Sequence, residues 1–261
     1  MNGIELDRDE FATVVLLLSA TRVFGLAEVV PADPTAREAA LVSGLAKLRA
    51  RGLVTGDAPR QAIPDTGLMR LASIIVDPRL VIVTERAVGG DAALHFADDV
   101  GYVSLEGNAT SGYRLGWVDD TTLLARRGLR FLDVDPDVMA QVEGLAVAET
   151  VFSGARELAR NGGAEASAAA LRAAGVSDEA ATLLAGALAT EAGGSVLVIR
   201  LNAGQAEAAR RAWVLPVDAR GGWIAWRPAA DDSALRFDPL TAAQLAGILE
   251  RFAQYLAPAR V

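Results

Sequence analysis

The sequence contains no cysteine, which excludes disulfide bridges, thiolate nucleophiles and zinc–thiolate sites together. It has one histidine, His95, so a metal site built from several imidazoles is excluded, and a Ser-His-Asp arrangement has at most one imidazole to use. Aromatic residues make up only 5% of the chain, so alanine, leucine and valine must fill the core. We therefore expect neither a metal site nor a cofactor.

Long hydrophobic runs are also missing. The longest run, residues 14–18, is far shorter than the ~20 residues needed to cross a bilayer, and the first residues lack the basic and apolar segments of a signal peptide. The formal charge of −8 disfavours nucleic acid or an anionic membrane as the main partner. With 261 residues, 52% of them hydrophobic, the chain can bury a large core. These features predict a cytoplasmic protein without membrane insertion.

Helical spacing and capping signals predict three helices at the start of the chain. The first follows Asp7 and Glu10, which have capping-box spacing, and the second follows Thr35 and Glu38. The third is expected over residues 66–76. Short runs rich in β-branched or aromatic residues then predict an antiparallel meander, with strands at residues 80–83, 92–96, 101–106 and 113–118.

The second half is predicted to begin with a helical bundle. Asp135-Pro136 favours the start of a helix that reaches about residue 160, where Asn161-Gly162-Gly163 stops it. Shorter helices are expected at residues 164–174 and 178–190.

The last third predicts three strands and a closing helix. The strands are expected at residues 196–201, 213–217 and 223–227, with a loop over residues 202–210. Pro216 lacks an N–H for the ladder, so we expect its strand at a sheet edge or at a bulge. Asp238-Pro239 is interpreted as the start of the final helix.

The same order of elements occurs twice, over residues 66–127 and 178–256. We therefore predict an α+β fold with a central, mostly antiparallel sheet, an internal pseudo-two-fold repeat, flanking helices and a helical bundle in the second half. The chain is expected to form a single unit, residues 1–261, with an N-terminal half over residues 1–134 and a C-terminal half over residues 135–261.

No catalytic constellation is readable around His95. Asp98 and Asp99 follow it, but the rise of an extended strand places Asp99 about 13 Å away. We interpret His95 as a surface residue near a turn. The glycine pairs beside the strands lack the spacing of phosphate-binding loops. The sequence therefore predicts a protein that is not an enzyme.

An alternative is a winged-helix transcriptional regulator with a ligand-sensing α+β domain. Residues 36–54 are similar to the helix and turn of a winged-helix domain, with Arg49 and Arg51 near the end. A dense basic patch and a base-reading polar run are missing. A helix that ends in basic residues and Gly52 explains the segment better, and no nucleic-acid partner is predicted.

Several stretches of the sequence carry a family resemblance. They are residues 45–54 (LAKLRARGLV), 71–72 (LA), 77–83 (DPRLVIV), 124–128 (LARRG), 171–178 (LRAAGVSD), 187–188 (AL) and 223–228 (WIAWRP). In this order they resemble the EspG family, cytosolic chaperones of mycobacterial type VII (ESX) secretion, over nearly the whole chain. The resemblance implies binding of the helical tip of a PE–PPE-type substrate pair, which the chaperone keeps soluble without making or breaking a bond.

The resemblance also implies where a partner binds. Residues 98–100 form a short turn, whereas EspG family members tend to have a longer client-contacting loop after the second strand. Client contact is therefore expected on the bundle, residues 135–190, or on residues 202–210. Trp223 and Trp226 face opposite sides of their strand, so one of them is expected to be exposed. We expect a helical protein client, such as a PE–PPE-like pair, to contact Asp98, Asp99, Val176, Gln205 and Trp223, and the oligomeric state is left open.

Overall fold

The computed structural model describes residues 3–56, 61–99, 101–108, 110–138, 141–190, 192–217, 221–229 and 232–256. The helices and strands follow one another along the chain in the order β1 Ile4–Leu6, α1 Arg8–Leu17, α2 Pro34–Ala50, β2 Val54–Thr55, β3 Ile63–Pro64, α3 Thr66–Val76, β4 Leu80–Arg86, β5 Ala92–Ala97, β6 Tyr102–Asn108, β7 Gly112–Val118, α4 Thr121–Phe131, β8 Leu145–Ala148, α5 Glu149–Ala173, α6 Asp178–Thr190, β9 Gly194–Asn202, β10 Gln205–Pro216, β11 Gly222–Trp226, β12 Ala234–Pro239 and α7 Ala242–Leu256.

Ten of the described strands form one sheet, in the order β1-β7-β6-β5-β4-β9-β10-β11-β12-β8. The β5–β6, β6–β7, β10–β11, β11–β12 and β12–β8 pairs are antiparallel, with registers that include Leu94 opposite Leu105, Leu215 opposite Trp223 and Phe237 opposite Leu145. Strands β2 and β3 form a separate antiparallel pair. The predicted α+β fold with a mostly antiparallel sheet is confirmed.

The predicted repeat in the order of elements is also confirmed. The series α3-β4-β5-β6-β7-α4 has the same order as α6-β9-β10-β11-β12-α7. In the sheet, strands follow outward from β4 as β5, β6, β7 and β1, and outward from β9 as β10, β11, β12 and β8. Each series is therefore a meander followed at its outer end by one short strand from elsewhere in the chain.

Contacts divide the chain into two compact units. Unit 1 contains Met1–Ile82, Leu94–Asp120 and Ile199–Ala208, and unit 2 contains Val83–Ala93, Thr121–Val198 and Ala209–Val261. The organisation as one domain with halves at residues 1–134 and 135–261 stays a prediction.

Helix α1 shows how the sequence builds unit 1. Asp7 accepts a hydrogen bond from the Glu10 backbone N–H (2.9 Å), and the Glu10 carboxylate accepts one from the Asp7 N–H (2.8 Å), so the predicted capping box is present. Beyond it, Phe11, Val14 and Val15 are buried. Helix α3 has the predicted bounds, begins at the cap residue Asp65, and buries its own apolar stripe.

Unit 2 has an apolar cluster formed by α5, α6 and one face of strands β8, β10, β11 and β12. Trp223 belongs to it and is 1% exposed, whereas Trp226 makes an edge contact with Phe252 of α7. The two tryptophans therefore face opposite sides of β11, as predicted. The expectation that one of them is exposed is wrong, because helices cover both faces of this strand.

The predicted helix between Asp135 and residue 160 is wrong over its first part. Residues 145–148 form strand β8, which pairs with β12, and helix α5 begins only at Glu149. The predicted stop at Gly163 is a kink, since its backbone (φ 84°, ψ 173°) is not helical although α5 continues beyond it. The apolar spacing that resembles a helix belongs instead to a strand stabilised by a distant partner.

The predicted loop over residues 202–210 is wrong. Asn202 ends β9 and Gln205 begins β10, separated only by Ala203 and Gly204, which both have positive φ (49° and 74°). Two central residues with positive φ are typical of the type I′ hairpin turn. Pro216 is the last residue of β10, which lies between β9 and β11, so its expected edge position is also wrong.

Two further expectations need correction. Asp238 and Pro239 end strand β12, and α7 begins after Thr241, whose hydroxyl accepts a hydrogen bond from the Gln244 N–H (3.1 Å). His95 is 4% exposed, because β5 is an interior strand between β4 and β6. It is not a surface histidine.

Candidate partner-binding surfaces

The β5–β6 turn places Asp98 and Asp99 at one end of the sheet. The Asp98 carboxylate accepts a hydrogen bond from the Gly101 N–H (3.1 Å), so this side chain shapes the turn. Asp99 pairs with Arg79 at 2.6 Å, and both side chains are about two-thirds exposed (68% and 66%). Val100, the last residue of the predicted turn, lies outside the described residues. Asp99 is therefore the outward-facing residue of the two.

Arg79 connects this turn to the β9–β10 hairpin within unit 1. Its N–H donates to the Ala97 carbonyl at the end of β5, and its own carbonyl accepts from the Leu201 N–H near the end of β9, both at 2.9 Å. Gln205 lies just across the tight turn from Leu201 and is exposed. Three of the predicted contact residues thus lie at the same end of the sheet. We call Arg79, Asp98, Asp99 and Gln205 the hairpin-tip surface.

A second surface lies in unit 2, below the α5–α6 turn. It is a cleft of about 260 Å3, which we call the helix-turn cleft, lined by Gln141, Val142, Glu143, Gly144, Leu145, Ser177, Glu179, Ala180, Leu183 and Trp223. The indole N–H of Trp223 donates to the Glu143 carbonyl at 2.9 Å. Val176, next to Ser177, is half-buried against the apolar cluster. The structure therefore brings Val176 and Trp223 to one region.

The chemistry of the helix-turn cleft suits a protein side chain. Val142, Leu145 and Leu183 are apolar, whereas Glu143 and Glu179 supply carboxylates. Sites for drug-sized ligands usually exceed about 300 Å3, so a volume of this size fits one or two side chains better than a small molecule. Trp223 forms part of the wall but is 1% exposed, so it supports the surface rather than projecting from it.

Sequence reasoning did not identify Arg79 as part of these surfaces, and it included residues 141–145 only within the wider predicted region 135–190. Arg79 lies at the start of β4, where only hydrogen bonds to distant strands reveal its position. Residues 141–144 were predicted to be helical but have no regular secondary structure. The signal available in the sequence was the glycine at position 144, which is unfavourable inside a helix.

Two of the basic residues near the end of α2, Lys47 and Arg51, are held in ion pairs. Lys47 contacts Asp7 (2.8 Å) and Asp9 (3.0 Å), and Arg51 contacts Glu10 (2.8 Å). A recognition helix needs its cations directed towards phosphates. The partners of Lys47 and Arg51 neutralise them within the protein, which disfavours the winged-helix alternative.

Within the described ranges, no group of three or more His, Asp or Glu side chains is arranged to hold a metal ion. His95 lies opposite Ser104 in the β5–β6 register, inside unit 1. Each helix in the described part of the chain is too short or too polar to cross a bilayer.

Comparison with known proteins shows which solved structure shares this fold. No protein-family model matches the sequence, and no curated protein matches it. Among solved structures, the chain shares the fold of a type VII secretion chaperone. That structure is of the Mycobacterium tuberculosis chaperone EspG5 in complex with the PE25–PPE41 dimer, and the match covers 99% of this chain and 98% of that chain, with a TM-score of 0.66 and 16% sequence identity. The EspG-like fold indicated by the sequence resemblance is therefore confirmed over the whole chain.

Proposed function

We propose that this chain is a cytoplasmic chaperone that binds a helical secretion client of the PE–PPE type and keeps it soluble, without catalysing a reaction. The observation that carries the proposal is the match to EspG5 over nearly the full length of both chains, in a structure that also holds the PE25–PPE41 dimer. A match confined to the sheet would support the fold alone. A match that covers 99% of this chain and 98% of that chain also supports a related use of the surfaces.

The helix-turn cleft is the surface that we assign to the client. A helix presents apolar side chains at i, i+3 and i+4, and such anchors need shallow pockets with polar rims. Val142, Leu145 and Leu183 provide the apolar wall and Glu179 lies on the rim. The hairpin-tip surface, which carries Asp99 and Gln205, is exposed and polar and is assigned to a secondary contact.

The proposal is tested by co-expression with each PE–PPE pair encoded in the same genome, followed by size-exclusion chromatography. We expect one or more pairs to co-elute with the chain and to precipitate when expressed without it. If every pair stays soluble alone and none co-elutes, the proposal is wrong. Retention of the chain on DNA at low salt would support the regulator instead.

The cleft assignment is tested with a matched pair of substitutions in the α5–α6 hairpin. Ala180 lines the cleft, whereas Ala169 is exposed and does not line it. We expect Ala180→Arg to weaken client binding by about 30-fold or more, the size of an interface hot spot, because the long side chain fills the cleft. Ala169→Arg introduces the same charge and should leave the affinity within about twofold.

The hairpin-tip assignment needs its own pair in unit 1. Asp99→Arg reverses a charge beside Arg79, and Glu38→Arg makes the same change on α2, where Glu38 is exposed. We expect Asp99→Arg to weaken binding by several-fold, mainly through slower association, since rim charges act on encounter. Equal effects of the two substitutions would remove this surface from the assignment.

A further inference from the structure

Two arginines of the sheet lie on the face that α7 covers in unit 2. Trp226 of β11 lies opposite Arg236 of β12 and opposite Ala212 of β10, and its ring packs against α7. Residues directly opposite on neighbouring strands point to the same face, and so do residues two apart on one strand. Arg210, two residues before Ala212, is therefore on the same face as Trp226 and Arg236.

Aromatic rings position two guanidinium groups on this face. The Arg251 guanidinium of α7 lies 5.4 Å from the centroid of the Trp226 ring, and the Arg210 guanidinium lies 5.6 Å from the centroid of the Tyr255 ring. Arg251 and Tyr255 are four residues apart on α7, so they are neighbours on one side of the helix. A guanidinium over a ring uses its flat face for the contact, which leaves its in-plane N–H groups for another ligand.

The third guanidinium group, that of Arg236, has a carboxylate partner. Asp238 accepts hydrogen bonds from the Arg236 Nε–H and from the Trp226 indole N–H, both at 2.7 Å. The Asp238 side chain is 7% exposed, whereas that of Arg236 is 56% exposed. Asp238 therefore fixes Arg236 beside the same indole that Arg251 covers.

No carboxylate neutralises Arg210 or Arg251. Within the part of the chain that the structure describes, neither side chain forms an ion pair besides its ring contact. Glu250, the neighbour of Arg251 in the sequence, accepts a hydrogen bond from the Thr121 hydroxyl of α4. Arg210 and Arg251 thus supply two positive charges without a carboxylate partner.

These side chains are accessible to a partner. Tyr255 is 54% exposed, and Arg251 is exposed on the same helix. Small ligands bind in clefts that bury most of their surface, so exposed side chains of this kind suit a segment of another protein. Tyrosine and arginine are also enriched among the residues that dominate binding energy at protein interfaces. We call Arg210, Arg236, Arg251 and Tyr255 the arginine surface.

We propose that the arginine surface binds a short acidic segment of a protein partner, with carboxylates on Arg210 and Arg251 and an apolar side chain against the Tyr255 ring. Arginine donates two parallel hydrogen bonds to a carboxylate, which makes it well suited to this ligand. Nucleic acid binds through the neutralisation of many phosphates, whereas two guanidinium groups lack a carboxylate here and the chain has a formal charge of −8.

This proposal does not depend on the PE–PPE assignment, because it concerns side chains outside the helix-turn cleft and the hairpin-tip surface and is tested without a client. The probe is an acetylated and amidated eight-residue peptide, EELEELEE, titrated into the purified full chain by isothermal titration calorimetry. The comparison peptide, QQLQQLQQ, has the same apolar residues and no charge.

The first comparison uses the wild-type chain and several ligands. We expect EELEELEE to bind, its affinity to fall about tenfold or more between 50 and 300 mM salt, and QQLQQLQQ to bind at least tenfold more weakly. An oligouridylate of eight nucleotides and vesicles that contain phosphatidylserine should also bind more weakly than EELEELEE. If any of these three ligands binds as tightly as EELEELEE, the proposal is wrong.

The second comparison uses matched single variants. Arg251→Gln should weaken the binding of EELEELEE by about fivefold, because one of the two unneutralised charges is lost. Arg70→Gln is the control, since Arg70 of unit 1 is exposed and its guanidinium also lies over an indole, 4.7 Å from the centroid of the Trp117 ring. This control should leave the affinity within about twofold. Equal effects of the two substitutions would contradict the proposed site.

Two stronger variants complete the test. Arg210→Gln with Arg251→Gln should weaken the binding of EELEELEE by about tenfold or more, and Tyr255→Ala should weaken it by about threefold, because the apolar contact is lost. Thermal unfolding shows whether each variant is folded. Unchanged binding by the folded double variant would overturn the proposal. Tyr255 is exposed, so Tyr255→Ala tests the site even if the double variant does not fold, and unchanged affinity in that variant would also count against it.

Discussion

The helix pairs α1–α2 in unit 1 and α5–α6 in unit 2 are held together by different chemistry. Polar contacts join α1 to α2: Ser43 donates to Asp9 (2.8 Å), Lys47 contacts Asp7 and Asp9, and Arg51 contacts Glu10. The α5–α6 pair instead buries alanine and leucine side chains, namely Ala155, Ala159, Ala168, Leu171, Ala181, Leu184, Ala185 and Leu188.

The two helix pairs therefore depend on different solution conditions. Ion pairs between half-exposed side chains weaken as the salt concentration rises, and they are lost when a change of pH neutralises either partner. Buried aliphatic contacts involve no charges, so they depend on neither salt screening nor pH. In α1–α2 close approach is possible because Gly44 lies against Thr13 and Asp9. In α5–α6 small alanines serve the same purpose. Substitutions can therefore separate the two kinds of contact, and the largest effect is expected in the apolar pair.

Leu184→Ala should destabilise the protein most. Leu184 is fully buried in α6, and its loss should lower the free energy of unfolding by about 2–5 kcal/mol, measured by urea denaturation. Leu158 on α5 is 39% exposed, so Leu158→Ala should cost less than about 0.5 kcal/mol. We expect the Leu184 effect to be the same at 50 mM and 500 mM salt. A strong salt dependence would contradict the apolar character of this pair.

Among the substitutions of polar side chains, Arg51→Met should lower the free energy of unfolding most. Arg51 donates to both Glu10 oxygens at 2.8 Å, and the Glu10 side chain is only 4% exposed. Removing the guanidinium leaves a buried carboxylate without this partner, which should cost about 1.5–3 kcal/mol in the free energy of unfolding. A second change, Glu10→Gln, should recover part of the loss. If the double variant is as unstable as the sum of both single variants, the ion pair does not hold α1 to α2.

Gly44→Ala and Gly154→Ala should change the free energy of unfolding in opposite directions. A Cβ at position 44 would overlap Thr13 and the backbone of Asp9, so we expect the free energy of unfolding to fall by about 1–3 kcal/mol. Nothing lies within 4 Å of a Cβ at position 154, in the interior of α5. Alanine there should stabilise the protein by about 0.5–1 kcal/mol, since glycine disfavours helix interiors. Thermal unfolding of both variants measures the difference, and equal signs would contradict it.

Lys47→Met should have a smaller effect than the Leu184, Arg51 and Gly44 substitutions. The Lys47 side chain is 43% exposed, so its ion pairs should contribute only about 0.2–1 kcal/mol at low salt and less at 500 mM salt. Arg172, whose ion pair with Asp178 links α5 and α6, gives the matched change, Arg172→Met. The Lys47 change should be the larger of the two, because Lys47 contacts two carboxylates.

The pH dependence of the Lys47 effect follows from the pKa directions. Burial acts to raise the pKa of Asp7, but hydrogen bonds from Lys47 and the Glu10 N–H hold this pKa below its ordinary 3.8. Hydrogen bonds from Ser43 and Lys47 likewise lower the pKa of Asp9, and those to Asp7 and Asp9 raise the pKa of Lys47 above 10.5.

The contribution of Lys47 is therefore complete between pH 3.8 and 10.5. It is lost on the acid side as pH falls through the lowered pKa values of the carboxylates, and on the basic side as pH rises through the raised pKa of the lysine. Urea titrations of both proteins from pH 3 to 11 measure the window. An acid slope should persist in Lys47→Met, because the pKa of Asp238 is also lowered; burial raises it, but hydrogen bonds from Trp226 and Arg236 outweigh burial.

Local signals account for the elements that the sequence predicted well. Helix α3 has both its bounds as expected, because Asp65 caps its first turn and Asp77-Pro78 ends it. Strand β8 and the first part of β10 were not predicted, because they depend on partners far away in the sequence. Leu145 pairs with Phe237, and the polar residues after Gln205 resemble a loop until the β9–β10 turn joins them to β9.

The same limit applies to the candidate surfaces. Asp98, Asp99 and Gln205 were identified individually, but their common position follows from backbone hydrogen bonds made by Arg79 to Ala97 and Leu201. The β9–β10 turn was not predicted because its first central residue is Ala203. Alanine rarely adopts positive φ, and the usual sequence signal of such a turn is asparagine or glycine at this position. Trp223 and Trp226 were correctly placed on opposite faces of their strand, whereas the burial of Trp223 depends on α5 and α6, which cover its face.

Lys47 has a practical consequence beyond stability. It is the single lysine side chain of the sequence and lies on the polar α1–α2 contact. An amine-reactive dye that discriminates against α-amino groups will therefore label one known position. The amine must leave its ion pairs with Asp7 and Asp9 to react, and the reaction removes its positive charge. Because salt weakens these ion pairs, labelling should be slower at low salt than at high salt. The labelling rate thus reports, on the intact protein, how often Lys47 is released from its ion pairs with Asp7 and Asp9.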